Sequence, residues 1–229
     1  MRTILVAAAL ASVVVMTGAA YADVEEVVVT AERRDESGPP HIFVVKRADH
    51  LIATVTVTCD TRDAKQRMDE LKTTLRDLIR AAASTKTISL GVGDSVLGDL
   101  NEADFDEIIE PDSRPDSSRA SVVVKTAVAK DDTFNSATAR IKDFIARATR
   151  TCRSEIIRQN RWDLTVIGPE QYRDRLVTQI VADARHTADL FGAGYGITIE
   201  GLEHPVTWSQ QGPLDLALYI PYTLHIAPK

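Results

Sequence analysis

The chain has 229 residues, carries a formal net charge of −6, and contains 44% hydrophobic but only 5% aromatic residues. That length allows one large or two small domains, and the hydrophobic content is that of an ordinary globular protein. A net acidic chain without a basic stripe argues against nucleic acid or anionic lipid as the main partner.

Residues 1–22 have the layout of a secretory signal peptide. The cation Arg2 precedes an apolar run over residues 4–16, and small residues end in an Ala-x-Ala pattern at residues 20–22. The apolar run is about thirteen residues, shorter than the roughly twenty that a membrane-spanning helix needs. We therefore expect cleavage before Asp23, export to the periplasm, and no membrane span in the mature chain.

The segment after the expected cleavage site combines acidic and β-branched residues. It resembles the TonB box of outer-membrane receptors, an extended peptide that adds a strand to the sheet edge of a periplasmic energy-coupling protein. The residues that carry this resemblance are candidates for partner binding: Glu25, Glu26, Val27, Val28, Val29, Thr30 and Ala31. The same β-formers would equally make an ordinary strand of the protein's own sheet or part of a flexible arm, and the chain is too short for a receptor barrel.

Charged residues, Gly38 and the pair Pro39 and Pro40 indicate a linker over residues 32–41. The chain is thus expected to comprise a signal peptide (1–22), an extended arm or linker (23–41) and one folded domain (42–229).

The folded part begins with predicted strands at residues 42–45 and 51–58, the second alternating between apolar and polar side chains. A helix of some twenty residues follows from Ala64, because apolar residues recur there at three- and four-residue steps. A short strand is predicted at residues 87–92.

Carboxylates and two prolines dominate residues 93–119. We expect a solvated, mobile acidic loop with one short helix at about residues 103–109. Alternating carboxylates are compatible with calcium, but the ligand order and central glycine of an EF-hand are absent.

The second half of the chain also alternates between predicted strands and helices. Strands are predicted at residues 121–129, 162–167, 197–208 and 214–226, with helices from Phe134 and over residues 170–191. The apolar stripe of the last helix is expected to contain Leu176, Ile180, Val181, Ala184, Ala188 and Phe191. Hairpin-like strand pairs that flank helices predict an α+β fold, a mainly antiparallel sheet packed by about three amphipathic helices.

No catalytic residue, metal site or cofactor is predicted. The histidines are scattered, no nucleophile motif is present, and the glycines at 192, 194 and 196 follow a helix, as in a C-cap, rather than precede one as in a phosphate loop. Cys59 and Cys152 form a disulfide candidate in an oxidising periplasm, and two separate buried thiols are the alternative.

The long helix resembles one family. Its sequence from Ile180 to Gly192, with Ala-Asp-Ala-Arg, a further alanine, then leucine and glycine leading into a strand, is similar to the SIMPL family of bacterial envelope proteins. The order of strands and helices agrees as well, whereas the acidic loop and residues 152–162 depart from the pattern.

That resemblance implies a periplasmic α+β protein, often a ring-forming homo-oligomer, without established catalytic residues and associated with oxidative-stress tolerance. The expected function is therefore that of an exported, non-enzymatic, self-associating envelope protein. The alternative is an interaction module that engages a TonB-type energy-coupling protein through its N-terminal arm.

Overall fold

The computed structural model describes residues 26–29, 40–151 and 153–229. Within these ranges the strands are β1 (Glu26–Val29), β2 (Val44–Arg47), β3 (His50–Cys59), β4 (Ile88–Val92), β5 (Val96–Asp99), β6 (Ile109–Pro111), β7 (Ser118–Ala127), β8 (Ser154–Arg158), β9 (Asp163–Ile167), β10 (Tyr195–Glu200), β11 (Thr207–Gln210), β12 (Asp215–Tyr219) and β13 (Thr223–Pro228). The helices are α1 (Ala64–Ser84), α2 (Phe105–Ile108), α3 (Phe134–Arg147) and α4 (Arg173–Phe191), with 3-10 turns at Glu102–Asp104 and Pro169–Tyr172. The class is α+β with antiparallel pairing, as predicted.

Six strands of the largest sheet close on themselves. Strand β3 pairs with β7, β7 with β4, β4 with β5, β5 with β1, β1 with β9, and β9 returns to β3, every pair antiparallel. Strands β6 and β8 extend β7 and β3 beyond this ring. The result is a small barrel in which the N-terminal strand β1 completes the closure.

Two apolar layers cover the outside of the barrel. The first contains Leu71 and Leu75 of α1 and Ile141 of α3, packed on residues of β3 and β7 such as Val55 and Val122. Helix α1 is held at its start by the N-cap Asp63, whose carboxylate accepts the Gln66 N–H at 2.8 Å.

The second apolar layer joins α4 to the three-stranded sheet β11–β12–β2. Leu176 and Ile180 of α4 meet Leu216 and Leu218 of β12 against Leu164 of the barrel wall. The predicted helices are therefore present, and each buries most of its apolar stripe on a sheet.

The acidic segment is not the irregular loop that was expected. It supplies β5 to the barrel, the predicted short helix as α2, and the edge strand β6. Leu97, Leu100 and Phe105 are at most 6% exposed. The prediction of a solvated loop was wrong because three buried apolar side chains anchor the segment, while carboxylates between them such as Asp99 and Glu102 remain exposed.

The two C-terminal strands were predicted as longer than they are. The first predicted strand is interrupted at Gly201, whose φ is +90°, and the second at Pro221. These two residues are neighbours in space, and only glycine fits at 201, because a Cβ there would lie 2.7 Å from the Pro221 carbonyl oxygen. The outer halves pair as the two-stranded ribbon β10–β13, and the inner halves join β2. Strand β8 was not predicted.

No helix in the described part of the chain is both long and apolar enough to cross a membrane.

Candidate functional site

The interior of the barrel is part apolar and part polar. Ile52, Leu97 and Val123 form a small buried cluster of their own, separate from the two outer layers. Ile52 of β3 lies opposite Lys125 of β7 on one side and opposite Asp163 of β9 on the other. These three side chains therefore share one face of the sheet. Lys125 is 5% exposed and Asp163 is 7% exposed, so two ionisable side chains are buried at one level of the barrel.

Both of these side chains have ionic partners. The Lys125 ammonium lies 3.4 Å from Asp99 Oδ1, and Arg161 Nε donates to Asp163 Oδ1 at 2.8 Å. Gly91 adjoins both the lysine stem and strand β5: a Cβ there would be in ordinary contact with the Lys125 side chain at 3.6 Å but tight against the Gly98 carbonyl oxygen at 3.0 Å. Only one member of each pair is buried, because the side chains of Asp99 and Arg161 are 81% and 45% exposed.

A second buried polar cluster surrounds Cys59. Its Sγ lies 3.3 Å from Oε2 of Glu70, a residue of α1 that is 6% exposed. Thr61 Oγ1 donates to the same oxygen at 2.5 Å, and Gln66 Nε2 donates to Glu70 Oε1 at 2.7 Å. The cluster joins the end of β3 to the first turns of α1.

The disulfide candidate concerns this cluster. Cys59 is a buried thiol, while Cys152 lies outside the described residues. Cys59 is aligned with Ser154 in the β3–β8 ladder, and the Thr151 N–H donates to Thr74 Oγ1 of α1 at 3.2 Å. The cross-link therefore stays a prediction.

A third polar cluster lies between β7 and α3. Arg140 donates to both carboxylate oxygens of Asp132 at 2.6 and 2.7 Å and to Thr126 Oγ1 at 2.9 Å. These hydrogen bonds, followed by those from the Ala129 N–H and the Ser136 hydroxyl, hold the pKa of Asp132 far below its usual range. The bidentate pair fixes the loop that leads into α3.

None of these clusters has the composition of a metal or hydrolytic centre. Among the residues that the structure describes, no group of three or more His, Cys, Asp and Glu side chains could hold a metal ion. The histidines are dispersed: His204 Nδ1 contacts the Pro221 carbonyl at 3.1 Å, and His225 lies 3.8 Å from Glu200.

The segment predicted to bind a partner is placed in the barrel. Strand β1 pairs with β9 over four residues and with β5 over two, so its backbone is used on both sides. This is the arrangement of an ordinary internal strand, the alternative that the sequence left open. The other candidate residues, Glu25, Thr30 and Ala31, lie outside the described residues, as do the signal peptide and most of the linker.

The end of the molecule formed by α4 and the ribbon exposes apolar side chains. Leu190 is 73% exposed, Phe191 is 56% exposed and Tyr195 is 37% exposed. Phe191 was expected on the buried stripe of the helix, but it lies beyond the part of α4 that the second apolar layer covers. Its ring instead lies 5.6 Å from that of Tyr195. We call these three residues the apolar tip.

The alanines of the SIMPL-like motif divide between two environments. Ala184 and Ala188 are at most 7% exposed and allow the helix to lie close to its neighbours, whereas Ala182 faces solvent. Gly192, at φ +95°, ends the helix as expected of a C-cap.

Comparison with known proteins finds no matching family model, no matching curated protein and no matching solved structure. The assignment of a function therefore rests on the sequence and the described geometry.

Three buried charged residues were missed from the sequence: Lys125, Asp163 and Glu70. A signal existed for the first, because Lys125 is a lone charge within the valine-rich run of β7. Glu70 stands beside Leu71 on the apolar side of α1, and such a carboxylate indicates a buried polar partner.

Proposed function

We propose that the protein is an exported, non-enzymatic envelope protein that self-associates and supports envelope integrity or tolerance of oxidative stress. The observation that carries the self-association is the apolar tip, where two large side chains that a monomer would normally bury are more than half exposed. Exposed apolar side chains that contact one another, as Phe191 and Tyr195 do, are typical of protein contact sites.

The resemblance of the α4 sequence to the SIMPL family supports the envelope assignment. The polar clusters support the absence of an enzyme role, because Lys125, Asp163, Glu70 and Asp132 are each engaged with structural partners of the same domain. Such pairs order strands and loops, which is the role of buried charges in a scaffold.

Light scattering coupled to size-exclusion chromatography on residues 23–229 tests the self-association. We expect a mass of a dimer or larger at tens of micromolar, and a monomer at that concentration would overturn the proposal. Fractionation of cells that produce the full chain tests the export: we expect the mature form in the periplasm, and a full-length form in the cytosol would contradict it.

The role in the envelope needs a test in cells. A strain without the gene should be more sensitive to peroxide and to detergent, and the full chain should restore tolerance. Restoration by a variant that lacks residues 1–22 would contradict an envelope location.

The disulfide between Cys59 and Cys152 belongs to the same proposal. The residues that flank Cys152 support it, since Ser154 is aligned with Cys59 and Thr151 is bonded to α1. Titration of thiols in denaturant, with and without prior reduction, would find none before reduction if the cross-link forms. Two reactive thiols in periplasmic material would contradict the cross-link.

The alternative role, engagement of an energy-coupling protein by residues 25–31, would require β1 to leave the barrel. Release would expose both the β5 and the β9 edges, and unpaired strand edges are costly. Titration of the isolated peptide against the periplasmic domain of a coupling protein tests this role, and no binding at millimolar peptide would end it.

A further inference from the structure

The ribbon β10–β13 has two outer edges, and they differ in what they offer to another strand. The Lys229 N–H donates to the Gly194 carbonyl at 2.8 Å, and the register continues from there through Gly196 and Ala227. In an antiparallel ladder this bond and the register together determine which residues of each strand turn their backbone groups toward the partner strand. On β10 the outward N–H and C=O groups belong to Ile197 and Ile199, together with the carbonyl of Tyr195, whose N–H donates to the Gly192 carbonyl at 3.1 Å.

The outward N–H groups of β13 belong to Leu224 and Ile226, and the next outward position is Pro228, which has none. A proline on an edge blocks strand addition. Strand β10 carries no proline, and within the described ranges no backbone group of this protein bonds to Ile197 or Ile199 on its outer side. The β10 edge is therefore the more open of the two.

The apolar tip lies at the start of this strand. Tyr195 begins β10, and Leu190 and Phe191 end the helix that packs on it. Ile197 and Ile199 are half-buried, on the face of the ribbon that α4 covers. An additional strand beside β10 would thus meet both unpaired backbone groups and exposed apolar side chains.

We propose that the occupant of this edge is β10 of a second copy, in an antiparallel pair that joins two ribbons into one four-stranded sheet. This inference rests on the proposed self-association and names its contact. The strand is self-complementary: when Ile197 lies opposite Ile197 of the second copy, both turn their backbone groups toward each other, and Tyr195 then lies opposite Ile199.

The same register suits the side chains. Glu200 falls opposite the small Gly194, and Thr198 opposite Gly196, so no like charges meet across the two-fold axis. On the other face Tyr195 of one copy adjoins Ile199 of the next, and the two α4 helices flank the joined strands. Phe191, which contacts Tyr195, is then covered by the partner.

Either further strands or a packed helix can stabilise a two-stranded ribbon. Helix α4 packs on one face of this ribbon, and a further strand would add to that stabilisation. The contact is isologous, since the same edge serves both copies. It therefore yields a closed dimer, not an open filament.

A pair of proline variants tests the contact. Ile197→Pro removes an outward N–H from β10, and Ile226→Pro removes one from β13 at the position directly opposite in the ladder. Neither removes a bond within the ribbon, so each is the matched control of the other. Sedimentation velocity should show the dissociation constant raised at least about tenfold by Ile197→Pro and nearly unchanged by Ile226→Pro, with circular dichroism showing that both variants fold.

A wild-type monomer would overturn the proposed self-association itself. A wild-type dimer that both variants leave intact, or that both disrupt equally, would overturn the β10 contact while self-association stands.

If Ile197→Pro does not fold, Ile197→Cys replaces it. Paired Cα atoms about 5.5 Å apart lie within disulfide range. Oxidation should therefore cross-link Ile197→Cys into a covalent dimer and leave Ile226→Cys uncross-linked, and the reverse result would contradict the register.

Discussion

This protein contains two long antiparallel strand pairs, one flanked by further strands and one without neighbouring strands in the described chain. Strands β3 and β7 face each other along their whole lengths, from His50 opposite Ala127 to Cys59 opposite Ser118, and each has further strands at its other edge. Strands β10 and β13 pair from Tyr195 to Glu200, and no other strand in the described chain joins either one.

The two helices beside these pairs show the same contrast. Leu71, Leu75 and Leu78 of α1 are at most 2% exposed, so the stripe is buried along its length. The stripe of α4 is largely buried from Leu176 to Ala188 and then continues into solvent at Phe191, beside the exposed Leu190. Amphipathic sequence is common to both regions. What differs is whether this chain supplies the covering surface, and the uncovered region is where a partner contributes most.

The largest expected effect comes from making the same substitution, phenylalanine to alanine, in the core and at the apolar tip. Phe105→Ala should lower the free energy of unfolding by about 3–5 kcal/mol, because it leaves a cavity where a 1% exposed ring was packed. Phe191→Ala, at a 56% exposed ring, should change it by less than about 1 kcal/mol. Urea unfolding of both variants measures the difference.

Equal losses for the two phenylalanines would show that the tip is packed in the monomer. A small loss for Phe105 would show that the acidic segment is not part of the core.

The second effect concerns the β4–β5 turn, which brings the acidic segment into the barrel. A Cβ on Gly93, at φ +120°, would lie 2.1 Å from the Val96 carbonyl oxygen, whereas one on Gly98 would meet nothing within 4 Å. Gly93→Ala should therefore destabilise the fold by about 1–3 kcal/mol, and Gly98→Ala should be close to neutral. Thermal unfolding compares them, and tolerance of Gly93→Ala would contradict the turn as described.

The third effect depends on pH. The fold lowers the pKa of Asp132 below its ordinary value of 3.8 through the Arg140 hydrogen bonds, so the ionised form stabilises the native state. That stability is present at neutral pH and is lost as the pH falls below the ordinary value. Asp132→Asn should cost about 1–3 kcal/mol at neutral pH and should flatten the acid dependence of unfolding.

The exposed pair of Arg76 and Glu102 provides the control. Their side chains are 43% and 62% exposed, and such pairs contribute little. Glu102→Gln should leave both the stability and its pH dependence nearly unchanged, and an equal effect of the two substitutions would remove the special role of Asp132.

Local patterns predicted the helices but not the barrel. The three-and-four spacing of Leu71, Leu75 and Leu78 is a local property, and it located α1 correctly. Barrel closure is non-local: β1 fits between β5 and β9, which come from distant parts of the chain, and no spacing within Glu26–Val29 indicates that pairing.

The acidic segment and the ribbon show why composition alone misleads. Leu97, Leu100 and Phe105 are few among many carboxylates, yet burial of a few apolar side chains decides whether a segment is ordered. At the apolar tip the prediction erred in the other direction, because a residue expected to be buried is exposed. Phe191 continues the periodic stripe, and periodicity identifies the apolar face of a helix without telling whether the same chain covers it.

Leu190→Ser should have the smallest effect on folding, and it distinguishes the uncovered region from the barrel most sharply. At a concentration low enough to keep the protein monomeric, the free energy of unfolding should change by less than about 0.5 kcal/mol, because the side chain is already 73% exposed. At higher concentration the same variant should associate less strongly than the wild type, since a solvated serine replaces apolar surface at the contact. Ile157→Ser, on the edge strand β8 and 52% exposed, is the control that should alter neither property. If Leu190→Ser destabilised the monomer instead, the tip would belong to the fold, and the contrast between a covered barrel and an uncovered ribbon would lose its basis.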